Sequence, residues 1–477
     1  MRMFSAAAVA LSLFTMGCGD EPAPDYEPGI SEQDHQIGRE QHPRLLAEFG
    51  GEYRGDEQAY VHQLGEKMAA AAGLSGQCTF TLVNSDVVNA FAVPGCFIYV
   101  TRGMMAIVTS EAELASVLGH EVGHIVARHS ERQQSRSLWS MLGIIAVSLT
   151  GSERLTNLAG AAVQLFTLRY SRGQEYEADE LGIRYLRDAG YDPIAAAEML
   201  SALGRQDAFL SASGGRDAAR GMPEWASSHP LTDKRVERAG ELAQPLRTAG
   251  LKENEATYLN AVDGLLYGDD PRQGFVLGRR FAHPVMRIGF EAPPGFTLTN
   301  SPRAIALSGP DGVRGEFGGA PLPSGGIEAY AQALLSETLG NTPTQIVSKQ
   351  PTTIAGLPAM ILAVRVSARE GVVPLSVAAY DAGQGNAYHF IMAAPAAGGS
   401  AAAVEQLFRS FHLLDAQEAA RLRPRRIHIV TVMPGDTADS VARRVADNHG
   451  RALLDALNGP DAIRPGNRVK IVVLAAD

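Results

Sequence analysis

The sequence predicts a multidomain chain in which a mainly α domain with a small β-sheet is followed by an α+β domain and a small βααβ domain. Three observations carry this. Over residues 30–250 apolar side chains recur at helical spacing, interrupted by strand-like runs at 78–83 and 96–101. Past Gly250 the texture turns to short β-like runs broken by Gly and Pro. Beyond the basic stretch 421–426 the order is strand, turn, helix, two further turns and strand. A length of 477 residues accommodates about three domains, each able to bury a core.

Composition removes several classes of function. The 42 basic and 52 acidic residues leave a formal net charge of -10, so no basic face for nucleic acid is expected. Outside the N-terminus no window approaches the ~20 continuous apolar residues of a membrane-spanning helix. Fifty Gly and 26 Pro argue against long coiled coils and lack the period of collagen.

Residues 1–17 read as a signal peptide, with Arg2 as the charged start, an apolar stretch over 6–16 and small Gly17 before Cys18. Thr15-Met16-Gly17-Cys18 resembles a bacterial lipobox with Thr15 in place of the usual Leu. That resemblance implies an exported chain lipidated at Cys18, and Gly19 resembles sorting to the outer membrane. An ordinary signal peptide with a chance cysteine is the alternative. Residues 18–35 read as a flexible, Pro- and acid-rich tether. In an exported protein Cys78 and Cys96 either pair as a disulfide or remain two buried thiols.

The first domain, 36–250, carries helical spacing over 39–72 at Tyr60, Leu64, Met68 and Ala71. The second, 251–415, shows strand-like runs at 285–290, 361–366, 375–380 and 388–393 with helices near 327–339 and 401–411. It loosely resembles small Mog1/PsbP-like sandwiches. The third, 427–474, resembles a LysM module through Gly435-Asp436-Thr437, a helix over 440–445, Asn458, Pro465-Gly466 and the closing 469–472, with Ala438 replacing the usual Leu. That resemblance implies binding of N-acetylglucosamine polymers, hence peptidoglycan. A docking domain that binds no glycan is the alternative.

One motif carries chemistry. Ser110 with Glu113 has the pattern of a capping box opening a helix through Leu114, Val117, Leu118 and Ile125. On it lies His120-Glu121-Val122-Gly123-His124, whose two histidines, four apart, share a face and can address one Zn2+. Glu121 stands beside them as the proton acceptor for a water attacking a peptide carbonyl. Ala127 and Ser130 stand where the metzincin pattern needs Gly and His. His129, five residues past His124, points away from the ligand face on a continuous helix, which leaves it surface or supporting duty. Glu175 and Asp179 share a face of a second helix. Alone they would read as an acidic first turn stabilised by the helix dipole. Beside the histidine pair, Glu175 is the expected third ligand, and Asp179 the acceptor for the second N–H of a ligand histidine.

Together with Asn89-Ala90-Phe91-Ala92, Ser228-His229-Pro230 and Arg235, these residues resemble the zinc metallopeptidases that include the CAAX prenyl protease, HtpX and the periplasmic β-barrel assembly-enhancing protease. The resemblance covers about residues 37–240. It implies a gluzincin with Glu175 as third ligand and an extended substrate pairing along Asn89, Ala90, Phe91 and Ala92. It further implies His229 and Arg235 near the metal, stabilising the tetrahedral intermediate, with His229 also able to fill the open zinc position. Cys96 departs from the family by replacing a second Gly after Pro94-Gly95. The apolar run 138–149 is too short to span a membrane, and is expected to line or cover the cleft or touch the membrane surface. No tetratricopeptide repeat follows Gly250.

The expectation is therefore a zinc-dependent endopeptidase of the bacterial periplasm, lipid-anchored and binding one Zn2+ per chain. Its expected substrates are misfolded or stalled envelope proteins. The alternative is a scaffold or chaperone-like lipoprotein with a latched or non-proteolytic centre, tethered to peptidoglycan.

Overall fold

A computed structural model of the chain describes residues 29–132, 170–213, 225, 229–368, 371–394 and 400–475. The leader, Cys18, the tether up to residue 28 and the apolar run 138–149 lie outside the described residues. Helix α1 (Glu32–Glu48) begins inside the expected tether, capped by Ser31, whose hydroxyl accepts from the Asp34 N–H. The helical pattern over 39–72 resolves into two helices, α1 and α2 (Asp56–Ala71). Gly50 and Gly51 separate them with φ of 81° and 86°, a left-handed turn that ends α1.

Strands β1 (Thr79–Val83), β2 (Ala90–Val93) and β3 (Phe97–Thr101) form a sheet in the order β1-β3-β2. β1 runs parallel to β3, and β2 is the antiparallel edge strand. Parallel pairing sets the residues just before β1 and β3 at one level, and Cys78 and Cys96 are joined there by a disulfide with Cα atoms 4.6 Å apart. Side chains of β2 alternate. Ala90 and Ala92 join the main core, while Phe91 and Val93 pack with Leu45 and Phe49 around α1.

Helices α3 (Arg102–Ile107), α4 (Glu111–Val126), α5 (His129–Arg132), α6 (Arg172–Asp188), α7 (Ala195–Ser213), α8 (Asp233–Ala243) and α9 (Glu255–Val262) complete the first domain. Every residue of α4 except Ile125 is buried, so it is the central helix and its polar side chains need partners inside the protein. Ser110 caps it by accepting from the Glu113 N–H at 3.1 Å. The return half of the capping box is shifted by one residue. The Glu113 carboxylate accepts instead from the Thr109 N–H at 2.6 Å and the Thr109 hydroxyl at 2.7 Å.

The middle domain holds two sheets. β5 (Phe275–Leu277), β6 (Arg280–His283) and β7 (Ile288–Glu291) form one with β15 (His412–Leu413), in the order β15-β7-β6-β5. The other has β8 (Thr297–Asn300), β9 (Ile305–Ser308), β10 (Arg314–Pro321), β11 (Thr344–Ile354), β12 (Leu357–Ala368), β13 (Gly371–Asp381) and β14 (Asn386–Ala393) in the order β11-β12-β13-β14-β10-β9-β8. Alternation decides its two faces. Leu375, Val377 and Ala379 pack under α10 (Gly326–Leu339), whereas Ala378 and Tyr380 pack with Phe290 and with Phe408 of α11 (Ala401–Arg409).

After α12 (Ala416–Ala420), strands β16 (Arg425–Thr431) and β17 (Arg468–Leu474) pair antiparallel around α13 (Ala438–Ala442) and α14 (Gly450–Asn458). Asn458 ties α14 to β17. Its amide donates to the Lys470 carbonyl and its side-chain oxygen accepts from the Lys470 N–H. This module shares one hydrophobic core with the first domain, Leu453, Leu457 and Ile471 joining Met105, Leu114 and Leu200. β4 (Leu266–Tyr267) pairs with β16, and α9 packs into the same core, so residues 255–267 belong with the first domain and not with the second. Among the described residues no helix is long and apolar enough to cross a membrane.

Candidate metal centre

The site exists because α4 and α6 touch at their backbones. A Cβ on Gly123 would sit 3.0 Å from the Ala178 carbonyl oxygen, and one on Gly182 would sit 3.0 Å from the His120 nitrogen. A Cβ on Gly119 would meet the Met68 methyl at 2.9 Å. Only glycine allows this approach, and it brings Glu175 and Asp179 of α6 against His120 and His124 of α4. Gly182→Ala is expected to push the helices apart by a few tenths of an ångström and to destabilise the protein by about 1–3 kcal/mol. Thermal unfolding with and without zinc checks this, and the gap between the two melting temperatures is expected to narrow.

Four ligand atoms, from His120, His124, Glu175 and His229, lie within 4.8 Å of one another, all on buried residues. His120 Nε2 is 3.0 Å from His124 Nε2 and 3.2 Å from His229 Nδ1. Glu175 Oε1 is 2.9 Å from His229 Nδ1 and 3.5 Å from His124 Nε2. A tetrahedral ion with ~2.0–2.1 Å bonds spaces its ligands by roughly 3.3 Å, so the donor set fits zinc in atom type and spread. Asp179 Oδ1 lies 2.9 Å from His120 Nδ1, which leaves Nε2 as the ligating atom.

Glu121 supplies a second sign of fit. Both its carboxylate oxygens are buried without a hydrogen-bond partner, and the nearest cationic candidate is His229 Nε2 at 3.6 Å. Burial pushes its carboxyl up to about 8, against the pull of His120 and Arg235. The Ala92 backbone amide of the edge strand also acts on it. Asp179 behaves oppositely. Burial is the largest influence and would raise it, but the Arg235 charge with the Arg235 and His120 hydrogen bonds outweighs burial and holds it well below the usual carboxylate range. Glu175 is likewise held low by His229 and Arg235 against its burial. Burial, then the neighbouring histidines, keep His124 in the neutral form that binds metal.

Arg235 spans both carboxylates of α6. Its Nε and Nη2 donate to Asp179 at 2.6 and 2.7 Å, and Nη1 stands 2.7 Å from Glu175 Oε2. This bidentate clamp makes Arg235 a brace for the ligand and its supporting carboxylate, with its charge beside the metal position. His229 lies one turn before α8, whose cap Thr232 accepts from the Arg235 N–H. Asn89 precedes β2, its N–H donating to the Thr101 hydroxyl at 3.1 Å, and its side-chain oxygen is buried without a partner.

Two residues of the site escape a reading by motif. Tyr170 stacks on His124 at 3.9 Å, and Trp225 stacks on His229 at 4.7 Å while lying under the Arg235 guanidinium. His129 is fully buried, with its Nδ1 2.8 Å from His124 Nδ1. Of the two roles left to it by the sequence, the surface role is therefore excluded. An aromatic has no spacing rule that ties it to a distant ligand, so the only signal was scarcity, Trp225 being one of 2 tryptophans.

A capped, buried helix bearing two histidines, a carboxylate from an adjoining helix and a buried glutamate beside them form a donor set suited to zinc, and residues 56–243, which hold it, match the family model described as peptidase family M48. The chain is similar to the β-barrel assembly-enhancing protease of Yersinia pestis, 31% identical over 199 residues, covering 39% of each chain. The Escherichia coli protein of that name is 30% identical over 213 residues, 42% of each. The mitochondrial metalloendopeptidase OMA1 of Arabidopsis thaliana is 34% identical over 155 residues, 32% of this chain and 29% of that one. The chain thus spans well under half the length of these curated relatives. Among solved structures a PsbP of Synechocystis is 14% identical, covering 28% of this chain and 91% of that one at a TM-score of 0.22, a score that carries no fold argument.

Proposed function

We propose that the chain is a zinc-dependent endopeptidase of the bacterial envelope, acting in the periplasm on misfolded or stalled envelope proteins. The observation that carries this is the buried set His120, His124, Glu175 with Glu121 unpartnered beside it. Zinc, when bound, polarises the scissile carbonyl and lowers the pKa of an attacking water. Glu121 takes the proton of that water and returns it to the departing amine. Asp179 orients His120, and Arg235 balances the charge of Glu175 and Asp179. The substrate lies as an added strand along Asn89, Ala90, Phe91 and Ala92, a reading supported by the edge position of β2 and the unpartnered oxygen of Asn89.

His229 favours a second feature of the same reading. Its Nδ1 stands among the ligand atoms, 3.2 Å from His120 Nε2, where it would complete a closed four-ligand site. Closed zinc sites are structural and open ones catalytic, so the position of His229 supports the reading of a resting, latched enzyme. Membrane anchoring through lipidated Cys18 and peptidoglycan binding by the C-terminal module complete the proposal. The latter rests on the LysM-like turns at 433–437 and 463–467, most of whose residues are exposed.

Metal content and hydrolysis of an unfolded casein-type substrate test this together. One zinc per chain is expected, lost in Glu175→Gln. His229→Ala is expected to keep zinc and to raise proteolysis if His229 is the latch, and to lower it if His229 steadies the oxyanion. Zinc without proteolysis in every form would leave the scaffold reading, and no zinc at all would end the metallopeptidase reading.

A further inference from the structure

His129 follows the metal-binding motif by five residues, and on a continuous helix it would be rotated by about 140° from His124. The helix does not continue. α4 ends at Val126, and Arg128 adopts a left-handed φ of 51°, a conformation that a residue with a Cβ takes only against steric resistance. That reversal returns His129 beneath His124, with its ring at 70° to the His124 ring and 4.9 Å away. The His129 carbonyl accepts from the Gln174 side chain at 3.2 Å, which ties the turn to α6.

The contacts form a line. His124 Nδ1 lies 2.8 Å from His129 Nδ1, His129 Nε2 lies 3.0 Å from Glu177 Oε2, and Arg132 Nη1 donates to the same oxygen at 2.9 Å. Two ring nitrogens at that separation share one proton, so one must donate and the other accept. His124 turns Nε2 toward the cluster of ligand atoms, and a ligating nitrogen carries no proton. Its single proton is therefore on Nδ1, donated to His129. His129 must then accept at Nδ1 and carry its own proton on Nε2, which it donates to the Glu177 carboxylate. Only this direction satisfies every atom in the line.

We infer that His129 and Glu177 are positioning residues that hold His124 in its zinc-binding tautomer through the relay His124 Nδ1–H to His129 to Glu177. The two ligand histidines are thus supported in different ways. His120 is held directly by Asp179, and His124 is held through an interposed imidazole whose carboxylate partner lies nearer the surface. Glu177 sits two residues after the ligand Glu175, so α6 delivers a ligand from one face and the end of this relay from another. The inference rests on the reading of His124 as a metal ligand.

The test uses the purified protein, with Zn2+ competed against a chelator of known affinity, and two-bond 1H–15N correlation of the histidine rings in the metal-free form. His129→Phe is expected to weaken zinc binding about 10–100-fold, the range for loss of such an outer partner. His124 is expected to move from the Nδ1–H tautomer to a mixture. His129→Gln, whose amide oxygen can accept from His124, is expected to recover most of the affinity, which a purely space-filling role of His129 would not produce. Glu177→Ala carries the same test if His129→Phe does not fold, and is expected to weaken zinc binding in the same direction. His124→Phe is the control. If it keeps its zinc, the ligand reading has failed; if it loses zinc while His129→Phe and Glu177→Ala match the wild type in affinity and tautomer, the relay has failed.

Discussion

Glu121→Gln is expected to bind one zinc per chain and to lose peptide hydrolysis by about 10²–10⁴-fold, the share that general acid–base catalysis contributes. The side chain is isosteric, and glutamine keeps an oxygen that can accept from the Ala92 N–H, the backbone group that acts on this carboxyl, so the substitution disturbs little of the surrounding structure. It removes only the capacity to accept a proton. The site has placed that capacity with care: burial pushes the carboxyl up to about 8, near neutrality, where an acceptor can also return the proton to a leaving amine. An amide beside the metal can do neither. The stability of the variant is expected to stay close to that of the wild type, because a carboxyl pushed up to about 8 by burial is mainly neutral near pH 7, as the amide always is. The measurement is turnover of an unfolded substrate alongside zinc content. Turnover near the wild-type rate with zinc bound would assign the proton transfer to another group, of which His229 at 3.6 Å is the nearest.

Much of this site could be read from the chain because its chemistry is periodic. Two histidines four apart, and Glu175 four before Asp179, fall on single helical faces wherever those helices pack. Period alone also explains why the placement of His129 was left between two roles. The supporting role of His129 depends on one left-handed residue, Arg128, and a pattern that assumes continued helix places the imidazole on the wrong side. Gly119, Gly123 and Gly182 look like weak spots in two helices by propensity, yet they are the contact surface that assembles the ligands. The middle domain could be sketched from its strands because its long strands alternate sides. Its sheet order could not, since β10 pairs with β14 across an intervening helix and three strands. The C-terminal module was visible as a unit, but its attachment was not. Nothing in a strand sequence marks Lys470 as the residue that enters the neighbouring core.

Lys470→Met is expected to destabilise the protein by about 3 kcal/mol, because each buried acceptor left unpaired costs about 1–3 kcal/mol. The Lys470 ammonium is fully buried and donates to the carbonyls of Ala106, Ile107 and Val108 at 2.8, 3.1 and 2.7 Å. Those are the last carbonyls of α3 and the residue that ends it, groups that have no helical partner of their own and that favour a cation. Methionine matches the length and the apolar stem but offers no donor. Burial already draws the Lys470 amine down, against the attraction of Glu113, so the ion is held there by its three bonds and its acidic neighbour. Removing it also strips the Glu113 carboxylate of a nearby cation, and Glu113 anchors Thr109 at the start of α4. The effect is therefore expected to reach the metal helix from a residue in the last strand of the chain. Urea unfolding should show the first domain and the C-terminal module, which share one core, unfolding together at a lower midpoint, and limited proteolysis should cut both at a lower urea concentration than in the wild type. An unchanged midpoint would mean that the module hangs on the first domain as a tether. The shared core and the three buried bonds argue that it is a structural part of the first domain, held close to the helix that carries His120 and His124.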